Sequence, residues 1–193
     1  MPAGPRFERL DDWLDWQQQL HPATIELGLR IAALDQSYRC FVAPGGQAAL
    51  ALVNLAYCRA GSHVLIPESA YGPSMELGED LLGGLGIHVE RYNPLIGAGI
   101  DAMIRPDTSL IWCESPGSIT MEIQDVPAIA RATKAAGVPL AIDNTYAAGV
   151  LFDAFAHGVD VSVQALTKYV GGHSDLLMGT VSVANAATYE RVG

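Results

Sequence analysis

Short apolar runs alternate with helical patterns along most of this chain, and that alternation limits its fold more than any other feature. The runs at 63–66, 87–92, 109–113, 138–142, 159–163 and 178–184 read as strands. Between them, 46–58, 74–85, 125–136 and 148–157 carry a helical period. The order predicts an α/β domain with a mostly parallel sheet flanked by helices, because parallel neighbours must be joined by a crossover lying on a sheet face. Gly137 is placed to end the helix at 125–136, and Pro139 to open the strand after it. With 193 residues, half of them apolar, the chain can bury one sizeable core.

In such a sheet ligands bind beyond the carboxyl ends of the strands, so polar residues that follow apolar runs are the first candidates for chemistry. Lys168 lies in QALTKYVGGHSD (164–175), and Asp143 follows the run at 138–142 within AIDNTYAAGVLF (141–152). Their separation of 25 positions fits two neighbouring parallel strands joined by a crossover helix. A lysine amine titrates near 10.4, but partial burial and nearby positive charge lower that value and let it form an imine. Pyridoxal phosphate uses such an imine, an acidic partner for its ring nitrogen and an anion site for its phosphate.

Asp143 is the candidate for the ring nitrogen. At about 4 Å and an effective dielectric of about 20, a carboxylate–pyridinium pair is worth roughly 4 kcal/mol before desolvation. The phosphate candidate is the turn in APGGQAAL (43–50), which opens a helical pattern. Gly45 and Gly46 let the backbone approach an anion, and the N–H groups of Gly46, Gln47 and Ala48 are free to face it. Thr167 offers a hydroxyl beside Lys168. The turn matches neither GxxxxGK[ST] nor GxGxxG. Each feature also has a plain reading: a solvated lysine, an Asx turn at Asp143 and Asn144, a glycine turn, and a loop aromatic at Tyr71. These readings are ordinary singly and improbable together.

Four segments carry a resemblance. ESAYGPS (68–74), YNPLIGAGI (92–100), ESPGSITMEIQDVPAI (114–129), and DNTYAAGVLF through VSVQALTKYVGGHSD (143–175) resemble, in order and spacing, the pyridoxal-phosphate enzymes of cysteine and methionine metabolism. The likeness covers roughly residues 31–193 and is closest to the cystathionine β-lyase branch. ESPGS and VQALTKY stand here where relatives acting at the γ carbon usually carry ESPxN and HSxTKY.

The resemblance implies the large domain of an aspartate-aminotransferase-like, fold type I enzyme, without its carboxy-terminal small domain. It implies Lys168 as the cofactor-binding lysine and later the base, and Tyr71 as the aromatic on the cofactor ring. Asp143 matches the ring-nitrogen partner, Gly46 and Gln47 the backbone phosphate donors, and Thr167 a hydroxyl donor. Ala165 replaces a serine common in relatives. The implied reaction converts cystathionine to homocysteine, pyruvate and ammonia, in a homodimer or homotetramer. Two alternatives stay open: a γ-lyase or γ-synthase, and an inactive truncated fragment. The second arises because the family's amino-terminal arm and substrate-carboxylate arginine are not found in the chain.

Residues 7–31, FERLDDWLDWQQQLHPATIELGLRI, read as two helices broken at His21 and Pro22. Their WQxxxHPxxIxLGL pattern resembles the start of dihydrofolate synthase/folylpolyglutamate synthase, without the phosphate loop that follows there. The expected division is a helical segment atypical of the family at 1–33 and a cofactor-binding large domain at 34–193.

A net charge of −10 without a basic cluster argues against nucleic acid as partner. Cys40, Cys58 and Cys113 are an odd set that fits reduced thiols. No signal peptide or run of eighteen apolar residues occurs, so a cytoplasmic protein is expected. His63, His88 and His157 show no ligand spacing, so no metal is expected. His173 is expected to shape the loop after the lysine by bonding backbone.

Overall fold

A computed structural model describes residues 22–193. The first part of the two-helix reading for 7–31 therefore lies outside the described residues. From Pro22 the chain forms helix α1 (Pro22–Asp35), then β1 (Arg39–Ala43), α2 (Gly46–Tyr57) and β2 (His63–Pro67). Helix α3 (Gly72–Glu76) runs into a π-helical turn (Leu77–Leu82) and leads to β3 (His88–Tyr92). A 3-10 turn (Gly97–Met103), β4 (Thr108–Glu114), α4 (Val126–Ala136) and β5 (Leu140–Asp143) follow. β6 (Val161–Gln164), β7 (Gly179–Val183) and α5 (Ala186–Val192) complete the described chain.

The strands form one sheet in the order β1-β7-β6-β5-β4-β2-β3. Pairings from β6 through β5, β4 and β2 to β3 are parallel, whereas β7 runs antiparallel to both β6 and β1. The expected α/β domain with a mostly parallel, helix-flanked sheet is therefore present. The sheet is buried on both faces. On one, Val53 and Leu50 of α2 pack with Val64, Leu110, Val161 and Val181. On the other, Ile129 of α4 and Ile100 of the 3-10 turn pack with Leu65, Ile111 and Ile142. Each fully buried isoleucine or leucine here contributes about 2 kcal/mol of apolar transfer.

Local signals explain where α4 begins and ends. Asp125 accepts a hydrogen bond from the Ala128 N–H at 3.0 Å, satisfying a donor of the first turn. Gly137, at φ 70°, closes the helix in the left-handed conformation, as its position predicts.

The helical expectation for one stretch needs correction. The stretch 148–157 forms turns rather than a helix, and Ala148 and Gly149 stand at φ 52° and 70°, which interrupts helical geometry at its start. β5 and β6 are nonetheless parallel neighbours, so the crossover between Asp143 and Lys168 is built from turns. Strand register also brings His63 opposite His88 on β2 and β3, although their sequence separation showed no ligand spacing.

Candidate active site

The parallel strands end in four turns that meet at one sheet edge, and the residues expected to carry chemistry stand on them. β5 ends at Asp143, whose backbone is registered against Glu114 of β4 on one side and Val163 of β6 on the other. The Thr145 N–H donates to Asp143 Oδ1 at 3.0 Å. Desolvation raises the Asp143 carboxyl above its ordinary value, while the Thr145 hydrogen bonds and the Lys168 charge pull it down. Asp143 and Lys168 are thus electrostatic neighbours.

Lys168 follows β6 in a tight turn. Its N–H donates to the Ala165 carbonyl at 3.0 Å, and its own carbonyl accepts from the Gly172 N–H at 2.8 Å. The residue is exposed rather than partly buried. Its ammonium lies 5.9 Å from the centroid of the Tyr71 ring, within cation–π range. The next loop residue of interest, His173, places Nδ1 3.0 Å from the Gly171 carbonyl, the backbone contact expected for it.

Tyr71 is the residue before α3, and its ring is 42% exposed. Its N–H donates to Glu114 Oε2 at 2.8 Å, while Ser118 Oγ donates to Glu114 Oε1 at 2.6 Å. Glu114 itself is clamped: its N–H donates to the buried Gln124 Oε1 at 2.7 Å. Burial, and then the charge of Asp143, push the Glu114 carboxyl up to about 7. A Cβ at Gly117 would lie 2.5 Å from Ser69 Cβ, so a glycine is required for the 114–118 turn to approach the turn bearing Tyr71.

The glycine turn makes a similarly close approach to Ala165, in the turn that bears Lys168. A Cβ on Gly46 would sit 2.8 Å from Ala165 Cβ, and Gly179 has no room for one beside the Gly45 carbonyl. The first N–H groups of α2, at Gly46 and Gln47, therefore open beside the lysine turn; they have no acceptor within the helix. Gln47 uses its side chain elsewhere, donating Nε2–H to the Pro73 carbonyl at 2.8 Å and tying α2 to α3. Thr167 is also engaged: its hydroxyl donates to the Met178 carbonyl at 3.1 Å and accepts from the Met178 N–H at 3.0 Å. That hydroxyl is the member of the expected set already committed within the chain.

Glu114 was not among the residues singled out from sequence. The donor that defines its role, the Tyr71 N–H, is 43 positions away, and a backbone donor leaves no side-chain signature.

Comparison with known proteins places this edge in context. The family described as Cys/Met metabolism PLP-dependent enzyme matches residues 7–193, a span that includes the segment at 7–31. The chain is 44% identical over 171 residues to a putative cystathionine beta-lyase of Rhizobium johnstonii, covering 89% of this chain and 43% of that protein. It is 47% identical over 156 residues to cystathionine beta-lyase MetC of Escherichia coli, covering 79% of this chain and 39% of the relative. The chain thus spans about two fifths of the length of these relatives. The crystal structure of MetB from Corynebacterium glutamicum superposes with a TM-score of 0.86 at 27% identity, over 89% of this chain and 45% of that one. Sequence match and structural likeness agree: this chain belongs to the Cys/Met metabolism PLP-dependent enzyme family.

Proposed function

We propose that this chain carries the cofactor-binding half of a carbon–sulfur β-lyase acting on cystathionine, with Lys168, Tyr71, Asp143, Gly46, Gln47 and Thr167 as its site. The observation that carries the reading is the meeting of Lys168 with Tyr71 and Asp143 at the carboxyl edge, beside the N-terminus of α2. Relatives named as cystathionine beta-lyases support the choice of reaction.

The residues fit pyridoxal phosphate. The backbone at Gly45, Gly46 and Gly179 is packed without side chains, which leaves the N–H groups of Gly46 and Gln47 accessible to an anion. Asp143 offers a carboxylate for a ring nitrogen, and the exposed face of Tyr71 offers a stacking surface. When bound, pyridoxal phosphate supplies an electron-withdrawing ring that stabilises negative charge on the α carbon of an amino acid.

The chain's own residues do the rest. Asp143, held by Thr145, would offer its carboxylate to the ring nitrogen. Tyr71, fixed through its N–H by Glu114, limits how a planar ligand can tilt. Lys168 would hold the cofactor through its amine and, once the substrate's own amine has displaced it, its Nζ would take the proton from the substrate α carbon. Loss of that proton would let homocysteine thiolate leave from the β carbon, and water would convert the remaining three-carbon fragment to pyruvate and ammonia.

The assembly is read as a cytoplasmic homo-oligomer. Val150, Leu151 and Leu177 are 69%, 82% and 73% exposed on the loops that flank Asp143 and Lys168, a surface suited to a second copy. Cys40, Cys58 and Cys113 are free thiols. No helix among the described residues is long and apolar enough to cross a membrane.

The test is product analysis with cystathionine and added pyridoxal phosphate. Pyruvate with homocysteine, absent in Lys168→Ala, is expected. Release of 2-oxobutyrate would instead assign cleavage at the γ carbon, and no keto acid from a cofactor-loaded chain would overturn the lyase reading for it.

A further inference from the structure

The amino ends of β2, β3 and β4 hold a second group of chemistry-bearing side chains, at the sheet edge opposite Lys168. β2 and β3 pair in parallel with His63 opposite His88 and Leu65 opposite Glu90. Because side chains alternate across a strand, His63, His88 and Glu90 project from one face, the face that also carries Leu65 and Tyr92 into the core under α4. β4 adds Thr108, which is registered against His63.

His63 is fully buried, and both of its ring nitrogens are engaged. Nδ1 lies 2.8 Å from Thr108 Oγ1, and Nε2 lies 3.1 Å from Glu90 Oε2. The rings of His63 and His88 stack with centroids 5.3 Å apart. One ligand atom from each of His63, His88 and Glu90 falls within 4.8 Å of the other two.

We propose that His63 Nε2, His88 and Glu90 form a binding site for a divalent cation of the Zn²⁺ class, with a fourth position open to water. Bonds of about 2.1 Å in a tetrahedron place ligand atoms about 3.4 Å apart. The His63–Glu90 separation of 3.1 Å is already close to that value. His88 is exposed, so its ring is free to turn inward and shorten the remaining gaps. The donor set of two imidazoles and one carboxylate suits Zn²⁺ rather than Mg²⁺ or Ca²⁺, which favour oxygen.

Thr108 supplies the orienting contact that a ligating histidine needs. Its Oγ1 accepts the Arg105 N–H at 2.7 Å and retains a lone pair for an Nδ1–H of His63, the tautomer that frees Nε2 for a cation. One group opposes the cation: the Arg105 guanidinium is paired with the same Glu90 Oε2. Binding therefore requires Arg105 to withdraw or to shift along the carboxylate. An occupied site would clip β3, the edge strand, to its neighbour.

The test is calorimetric titration of the chelator-treated chain with Zn²⁺, repeated with Co²⁺ to read its visible ligand-field bands. One equivalent is expected, with tetrahedral-type bands for Co²⁺. His88→Ala and Glu90→Gln are expected to weaken binding at least tenfold, and Thr108→Val about tenfold, the usual effect of removing an outer partner. Arg105→Gln is expected to bind more tightly, an outcome that no purely structural role for the cluster would produce. Lys168→Ala should bind as the parent, which separates this site from the lyase reading. His88 and Arg105 are not core residues, and circular dichroism checks that their variants fold. Stoichiometric binding that persists unchanged in His88→Ala and Glu90→Gln, or no stoichiometric binding by the parent, would overturn the proposal.

Discussion

Glu114 and Asp143 stand opposite each other in register at the carboxyl ends of β4 and β5, two carboxylates withdrawn from bulk water at one sheet edge. Burial, and then the charge of Asp143, discourage ionisation of Glu114 and push its carboxyl up to about 7. One carboxyl faces Lys168 and the other holds Tyr71.

The first prediction concerns that pair. Glu114 binds a proton more tightly in the folded chain than in the unfolded one, so its contribution to stability is largest below about 4.5 and is lost as pH rises through about 7. Glu114→Gln should flatten the decline in stability over that window. Denaturant midpoints measured across the window check the effect.

Asp35, bonded to Gln164 at the end of β6, makes a parallel prediction. Its carboxylate is buried between Gln164 Nε2 and Ser182 Oγ, each donating at 2.5 Å, and burial still pushes it up to about 6. A rise from 3.8 to about 6 corresponds to about 3 kcal/mol of stability lost as pH rises through that interval. Asp35→Asn keeps an oxygen for Gln164 and presents an amide to Ser182, so it should abolish this slope and be the more stable chain at pH 8. Thermal melts at pH 4 and pH 8 measure the difference.

The third prediction uses the closeness of the glycine turn to the lysine turn. Gly46→Ala places a methyl 2.8 Å from that of Ala165 and should cost about 1–3 kcal/mol while weakening cofactor binding. Ala165→Gly opens the space, so the double variant should recover most of the loss. A double-mutant cycle on stability, paired with cofactor titration, reads both effects.

What the sequence revealed and concealed follows from physical cause. β2, β4, β5 and β6 were legible because strands buried on both faces read as unbroken apolar runs. β1, RCFVA, was missed because its outer residues are exposed or half-buried and it begins with arginine. The turns at 148–157 resembled a helix because Val150, Leu151 and Phe152 supply apolar side chains, yet Val150 and Leu151 face outward. Lys168 and Asp143 stood out because each follows an apolar run; Glu114 did not, because its partner is a backbone N–H. The pairing of His63 with His88 depends on strand register, which their separation along the chain does not reveal.

Lys168 is the proposed point of attachment of the cofactor. The direct measurement is reduction of the purified chain with borohydride in the presence of pyridoxal phosphate, followed by proteolysis and mass spectrometry of the peptides. One phosphopyridoxyl group per chain is expected, on Lys168, lost in Lys168→Ala with no transfer to Lys134. Labelling of Lys134 instead, or equal labelling of the Lys168→Ala chain, would contradict it.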